Sequence, residues 1–317
     1  MAKTSTTSKD PFRILSLDGG GVRGYLTARL LLHVEEYLNS QVDEGHEKPI
    51  GEYFDLIAGT STGALIALAL SRGATAAEVF AMYEEHIPKI FKKRWLRRGW
   101  FGPKYDPAPL KTAITELLGE SAELHEAKTP VLVVSVDPQN AKPRLYKGDR
   151  SAIHQGRGSE KMVDVALASS AAPTYFPMRM DMEHSHALVD GGLCANNPSL
   201  VAIVEALRGK RLLDEVIMLS VGTGEPSEMP YDVLKMEKAG PLKWVHPIIE
   251  LVLQVQSDLA HRQAGFMLGE RYHRFNPPLK MKFALDDTKK VPLLKNIADI
   301  EYPTKLFLDR YFLDSGK

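Results

Sequence analysis

GTSTG, residues 59–63, separates two apolar runs, YFDLIA at 53–58 and ALIALAL at 64–70. A short apolar run bounded by glycine reads as a buried strand, and the run of small and apolar residues after it reads as a buried helix. Strand, tight turn and helix in succession are the building unit of an α/β fold. The turn itself is G-x-S-x-G, a pattern in which glycines let the strand and helix backbones approach closely while the central serine is thrust out on a strained corner. Gly59 and Gly63 are those glycines, and Ser61 is a candidate nucleophile. The helix starting beneath it favours negative charge at that point.

Working upstream, ILSLDGGGVRG at 14–24 repeats the same architecture, with a predicted strand at 13–17 and a helix at 25–38 carrying Leu26, Leu30, Leu31 and Val34 on one side. Gly19, Gly21 and Gly24 satisfy G-x-G-x-x-G. A dinucleotide site would need an acidic residue about 20 positions on, at the end of a second strand. Only the polar loop with Asp43 and Glu44 lies there. A phosphate loop would need Lys and then Ser or Thr after Gly24, where Tyr25 stands. The remaining use for Gly19, Gly20 and Gly21 is to present backbone N–H groups to an oxyanion at the mouth of a helix.

Downstream, LVDGGLCANNP at 188–198 follows a short apolar strand. Gly191 and Gly192 turn the chain away and leave Asp190 at a strand end, where α/β sites lie. Asp190 is the candidate proton acceptor for Ser61. His184 and His186 precede it closely and would permit a histidine triad, but a surface turn, DMEHSH, accounts for both. Cys194, the single cysteine, reads as a small buried packing residue. Asn196 and Asn197 read as bonds to the Asp190 turn or as caps of the next helix, capping being the ordinary role.

Between and beyond these motifs, strands are predicted at 131–136, 144–146, 186–189 and 216–221. Helices are predicted at 107–118, opened by Asp106 with Pro107 at the first helical position, and near 163–170, 198–207 and 247–268. Alternation of strands and helices implies a mostly parallel sheet covered on both faces. The 317 residues carry 40 Lys plus Arg against 40 Asp plus Glu, so no global field draws in nucleic acid. One cysteine cannot form an internal disulfide, which fits a reducing, cytoplasmic compartment. The polar start offers no secretory signal, and no apolar run reaches the roughly 18 residues that span a bilayer.

DGGGVRG, GTSTG and DGG in this order, with ASSAAPTYFP at 168–177, resemble the patatin-like phospholipases over residues 14–207. That resemblance implies a three-layer fold with a mostly parallel central sheet flanked by helices. Residues 208–317 would supply the remaining core elements and a helical extension of the same domain. It also implies a Ser61–Asp190 dyad without histidine, an oxyanion hole at Gly20 and Gly21 with Gly19 nearby, and Arg23 as the basic residue supporting that loop. The activity implied is hydrolysis of acyl esters of phospholipids or related lipids through an acyl-enzyme, with no metal or organic cofactor. Transfer of the same acyl group to an alcohol is the alternative. The layout is also similar to bacterial patatin-like effectors of antiphage defence, which implies a cyclic-nucleotide activator.

FKKRWLRRGWFG, residues 91–102, sets Lys92, Lys93, Arg94, Arg97 and Arg98 among Trp95, Trp100 and Phe101. Aromatic rings with cationic neighbours suit an anionic bilayer surface. A solvated loop with inward tryptophans and a lid over the site are the competing readings. The first of these readings would place the protein peripherally at the inner membrane face.

Overall fold

A computed structural model describes residues 10–92, 102–149, 158–181, 186–226, 232–238, 240–281, 283–295, 297 and 302–313. The basic aromatic stretch at 93–101 and His184 lie outside the described residues, as does the side chain of His186.

Eight strands form one sheet among the described residues. They are β1 (Phe12–Leu17), β2 (Leu56–Thr60), β3 (Val131–Asp137), β4 (Lys142–Gly148), β5 (Arg179–Asp181), β6 (His186–Asp190), β7 (Val216–Val221) and β8 (Tyr272–Phe275). Their order is β5-β6-β3-β2-β1-β7-β8, with β4 also paired to β3. From β3 to β8 the neighbours run parallel. β4 and β6 join β3 antiparallel, and β5 joins β6 the same way.

The helices are α1 (Gly24–Asn39), α2 (Thr62–Arg72), α3 (Ala76–Ile90), α4 (Pro107–Leu118), α5 (Met162–Ser169), α6 (Gly192–Ala195), α7 (Ser199–Arg208), α8 (Val233–Met236), α9 (Pro241–Leu268), α10 (Val291–Leu294) and α11 (Tyr302–Leu308). Alternation along the strands divides the core in two. Leu15, Leu17, Ile57, Val133 and Leu219 pack with α1, α2 and α5 on one face. Ile14, Ala58, Leu132, Val134 and Met218 pack with Ala202 and Ile203 of α7 and Ala264 of α9 on the other. The result is the expected three-layer α/β/α arrangement. Every residue of β2, β1's last four and all of β7 are buried, as strands covered on both faces require.

The predicted strands and helices recur with shifted ends. α3 has no counterpart in the predicted elements, although its Thr75 capping box with Glu78 is a start signal legible in sequence. β8 and the helices α10 and α11 lie beyond the last predicted helix. Among the described residues no helix is long and apolar enough to cross a membrane.

Candidate active site

Parallel pairing in register puts Leu17 beside Gly59 on one side and Val221 on the other. The segments leaving β1, β2 and β7 therefore meet at one edge of the sheet. β6 runs antiparallel to β3 and ends beside Ser135, which brings Asp190 to the same edge. Four segments distant in sequence thus converge on one point.

Ser61 follows β2 directly and caps α2 with φ 54° and ψ −122°, a conformation that costs a non-glycine residue of order 1–3 kcal/mol. The flanking glycines permit it. A Cβ at Gly59 would lie 2.3 Å from Gly63 O, and one at Gly63 would lie 2.3 Å from Leu17 O. Ser61 N–H donates to Ser169 Oγ at 2.8 Å, and that hydroxyl donates to Val134 O at 2.6 Å, so the corner is tied to α5 and β3. Ser61 Oγ–H donates to Asp190 Oδ2 at 2.7 Å. Asp190 Oδ1 accepts Gly192 N–H, also at 2.7 Å. Burial is the largest influence on this carboxyl and raises its pKa to about 6, against the two hydrogen bonds, which lower it. Among the described residues no histidine bonds Asp190.

The glycine loop lies above this pair. Gly20 and Gly21 line the same cavity as Ser61 and Asp190, and among the described residues neither N–H has a backbone acceptor. Gly21 has φ +58°, and a Cβ there would lie 2.2 Å from Leu285 O. Gly19 differs from the expectation of an oxyanion donor, because its N–H is spent on Asn196 O at 3.0 Å. Its lack of a side chain instead leaves room for Asn196 and for Ser61 Cβ. Gly24 and Gly191 allow close approach of Thr62 Oγ1 and Val134 O respectively. Arg23 donates its backbone N–H to Gly20 O at 3.1 Å, and among the described residues its guanidinium forms no hydrogen bond to the loop.

Several supports of the loop have no local sequence signal. Arg274 from β8 grips Asp18 with two bonds, Nη1 to Oδ1 at 3.0 Å and Nη2 to Oδ2 at 2.6 Å. Asn196 Nδ2 donates to Gly19 O and to Ser257 Oγ on α9. Leu285 O accepts Val22 N–H at 2.9 Å. Breaking a buried ion pair strands the remaining charge at a cost of about 3–5 kcal/mol. Arg274→Met should accordingly lose about that much stability in urea unfolding; a loss under 1 kcal/mol would mean that Asp18 is not held ionised by Arg274.

Asn197 Oδ1 accepts Ser199 N–H at the start of α7, the expected capping role. Cys194 is exposed on α6 and not a buried packing residue, because α6 turns it outward after Gly192. Local desolvation and the Asp190 carboxylate raise its thiol to about 11, so it is not a thiolate nucleophile at neutral pH.

From Ser61 an apolar cavity of about 880 Å³, including its open mouth, runs between Leu65, Met82, Ile87, Ile90, Phe91 and Leu110. Much of that wall is α3. A hydroxyl bonded to a buried carboxylate, beneath unspent backbone donors and at the head of an apolar cleft, is the arrangement of a serine acyl-ester hydrolase.

The family model for patatin-like phospholipases matches residues 15–203, and the chain belongs to that family. It is a lipid acyl hydrolase of the carboxylic-ester type. A cGAMP-activated phospholipase of Escherichia coli (strain TW11681) is 33% identical over 75% of this chain and 69% of its own. Another, from Vibrio cholerae serotype O1, is 36% identical over 68% of this chain. The aligned part is 65% of the Vibrio protein's length, so the chain matches about two thirds of it. Patatin-like protein 1 of Arabidopsis thaliana is 32% identical over 78% of this chain and 69% of its own.

Proposed function

We propose that Ser61 is the nucleophile and Asp190 the proton acceptor in hydrolysis of phospholipid acyl esters. The observation carrying this reading is the 2.7 Å hydrogen bond from Ser61 Oγ to Asp190 at the head of the apolar cavity. Ser61 Oγ attacks the ester carbonyl as Asp190 takes its proton, and the N–H groups of Gly20 and Gly21 receive the oxyanion. The tetrahedral species collapses, Asp190 returns the proton to the departing alcohol, and the acyl group remains on Ser61. Water, deprotonated by Asp190, then releases the fatty acid. A carboxylate with pKa near the working pH suits both transfers. Transfer of the acyl group to another alcohol would use the same intermediate; product analysis by lipid mass spectrometry on mixed phospholipids separates the two.

A base with pKa of about 6 must be ionised to act. On a soluble short-chain ester, kcat/KM should be flat above pH 7 and fall about tenfold per unit below pH 6. A profile flat to pH 4.5 would remove Asp190 as the base.

The two bacterial relatives support activation by a cyclic dinucleotide, and the basic aromatic stretch at 91–102 supports docking on anionic membrane. Phospholipid turnover measured with and without cGAMP tests the first; equal rates would mark a constitutive enzyme. For the second, exposed charges are screened over about 10 Å at 0.1 M salt. Vesicle hydrolysis should therefore fall with ionic strength while soluble-ester hydrolysis holds, and parallel losses would discard membrane docking.

A further inference from the structure

Leu285 backs the glycine loop. Its carbonyl oxygen accepts the Val22 N–H at 2.9 Å and stands where a Cβ on Gly21 would come within 2.2 Å of it. The Gly21 Cα thus rests on this carbonyl, and the orientation of the Gly21–Val22 peptide depends on where Leu285 stands. Leu285 lies in a turn outside every strand and helix, so no ladder of backbone bonds fixes it. Its place comes from side chains that reach it from elsewhere in the chain.

Two such ties exist. The Glu250 carboxylate of α9 accepts the Leu285 N–H. The next residue, Asp286, has its side chain 11% exposed, and its Oδ2 accepts both Lys104 Nζ and the Tyr105 O–H. These two donors are themselves anchored. Lys104 N–H donates to Thr174 O at 3.0 Å and Tyr105 N–H to Tyr175 O at 2.9 Å. The Tyr105 ring is buried against Phe91 and Phe176, with centroids 5.3 and 5.8 Å away. Burial, followed by the Asp286 bond, raises the Tyr105 hydroxyl pKa, so it remains a donor. Tyr175 and Phe176 line the Ser61 cavity. A largely desolvated ion pair adds little net stability, but two charge-assisted, directional bonds fix a position. What stands beside that position is the loop carrying the unspent Gly20 and Gly21 N–H groups.

We propose that Asp286, clasped by Lys104 and Tyr105, is a positioning residue for the oxyanion hole: it sets Leu285, and Leu285 sets the direction of the Gly21 N–H. The proposal rests on the acyl hydrolase mechanism above and names what aligns its oxyanion donors. Asp286 acts through Leu285 and not on the reacting atoms.

Asp286→Ala should lower kcat on a soluble short-chain ester about 10- to 100-fold with KM within about twofold of wild type, since a misplacement of about 1 Å costs on the order of 10²-fold. Rates are referred to active sites titrated with a fluorophosphonate. Asp286→Asn, whose amide oxygen can still accept the Tyr105 O–H, should recover most of the loss. A trifluoromethyl ketone reports on the hole directly. Ser61 Oγ bonds to its carbonyl carbon, the Ser61 proton passes to Asp190, and the carbonyl electron pair becomes an oxyanion facing Gly20 and Gly21. Its affinity should fall in Asp286→Ala by the same factor as kcat/KM, while the ether analogue of the ester, which develops no charge, should bind variant and wild type alike. Tyr105→Phe should cost about threefold in both kcat and ketone affinity alone, and nothing further in Asp286→Ala, because the two residues share one contact.

Unchanged kcat in Asp286→Ala overturns the proposal. So does a fall in kcat with undiminished ketone affinity, which marks general damage and not lost alignment. If Asp286→Ala does not fold, Tyr105→Phe decides on the same two measurements. If wild-type Ser61 is labelled and turns over ester while the variants match it, the clasp alone falls. If wild-type Ser61 is unlabelled and no ester is cleaved, the hydrolase mechanism and the clasp fall together.

Discussion

Ser61→Ala should lower lipid acyl ester turnover by about 10⁴–10⁶-fold, the range expected when a nucleophile that acts as a unit with its base is removed. The variant should remain folded by circular dichroism, because Ser61 stands at the cavity and not in the apolar core, and its backbone tie to Ser169 Oγ does not use the hydroxyl. A fluorophosphonate probe should label wild type once and the variant not at all. Labelling of another serine with turnover preserved would show that the strained corner serves some other purpose. Removing the hydroxyl also removes a bond that lowers the Asp190 pKa, so the carboxyl of the variant should titrate above that of wild type.

Asp190→Asn should lower turnover by about 10²–10⁴-fold, the usual contribution of a positioned general base, and should make the protein more stable at pH 8. The carboxyl is raised in the fold from 3.8 to about 6, so the folded state binds its proton more tightly than the unfolded chain. Stability from this group is fully present below pH 4 and is lost as pH rises through 6. A shift of this size corresponds to roughly 3 kcal/mol. An amide keeps the shape and can still accept Gly192 N–H, without the buried charge. The gain over wild type in urea unfolding should thus appear between pH 4 and 6 and persist above it. A variant less stable than wild type at pH 8 would mean that burial does not dominate at Asp190. An active variant would transfer the role of base to another group.

The motifs of the candidate site were legible because their requirements are local. GTSTG carries its own conditions: a serine at positive φ flanked by glycines whose Cβ atoms would strike backbone within the same elbow or on β1. The position of Asp190 at a strand end likewise follows from DGG after an apolar run. The wall of the cavity was only partly legible. Thr75 and Glu78 announce α3, but nothing local says that Met82, Ile87 and Ile90 face Ser61. Cys194 was misread because apolar character alone does not reveal which way a one-turn helix faces.

Local chemistry in the sequence therefore determined the α/β class, the serine elbow, the glycine loop and the carboxylate. These depend on backbone sterics and on hydrophobic patterning within a few residues. Tertiary structure alone decided that Gly19 is a close-contact position and not a donor, because Asn196, 177 residues away, takes its N–H. It also decided that Arg274, Ser257 and Leu285 support the loop, and that Arg23 and Glu250 line one cavity. Arg274 reaches Asp18 because β1, β7 and β8 pair in parallel, whereas the other contacts are made by Asn196 after α6, by residues of α9 and by the segment at Leu285. Pairing between strands so far apart in sequence is set by the packing of the whole core and leaves no pattern within any one segment.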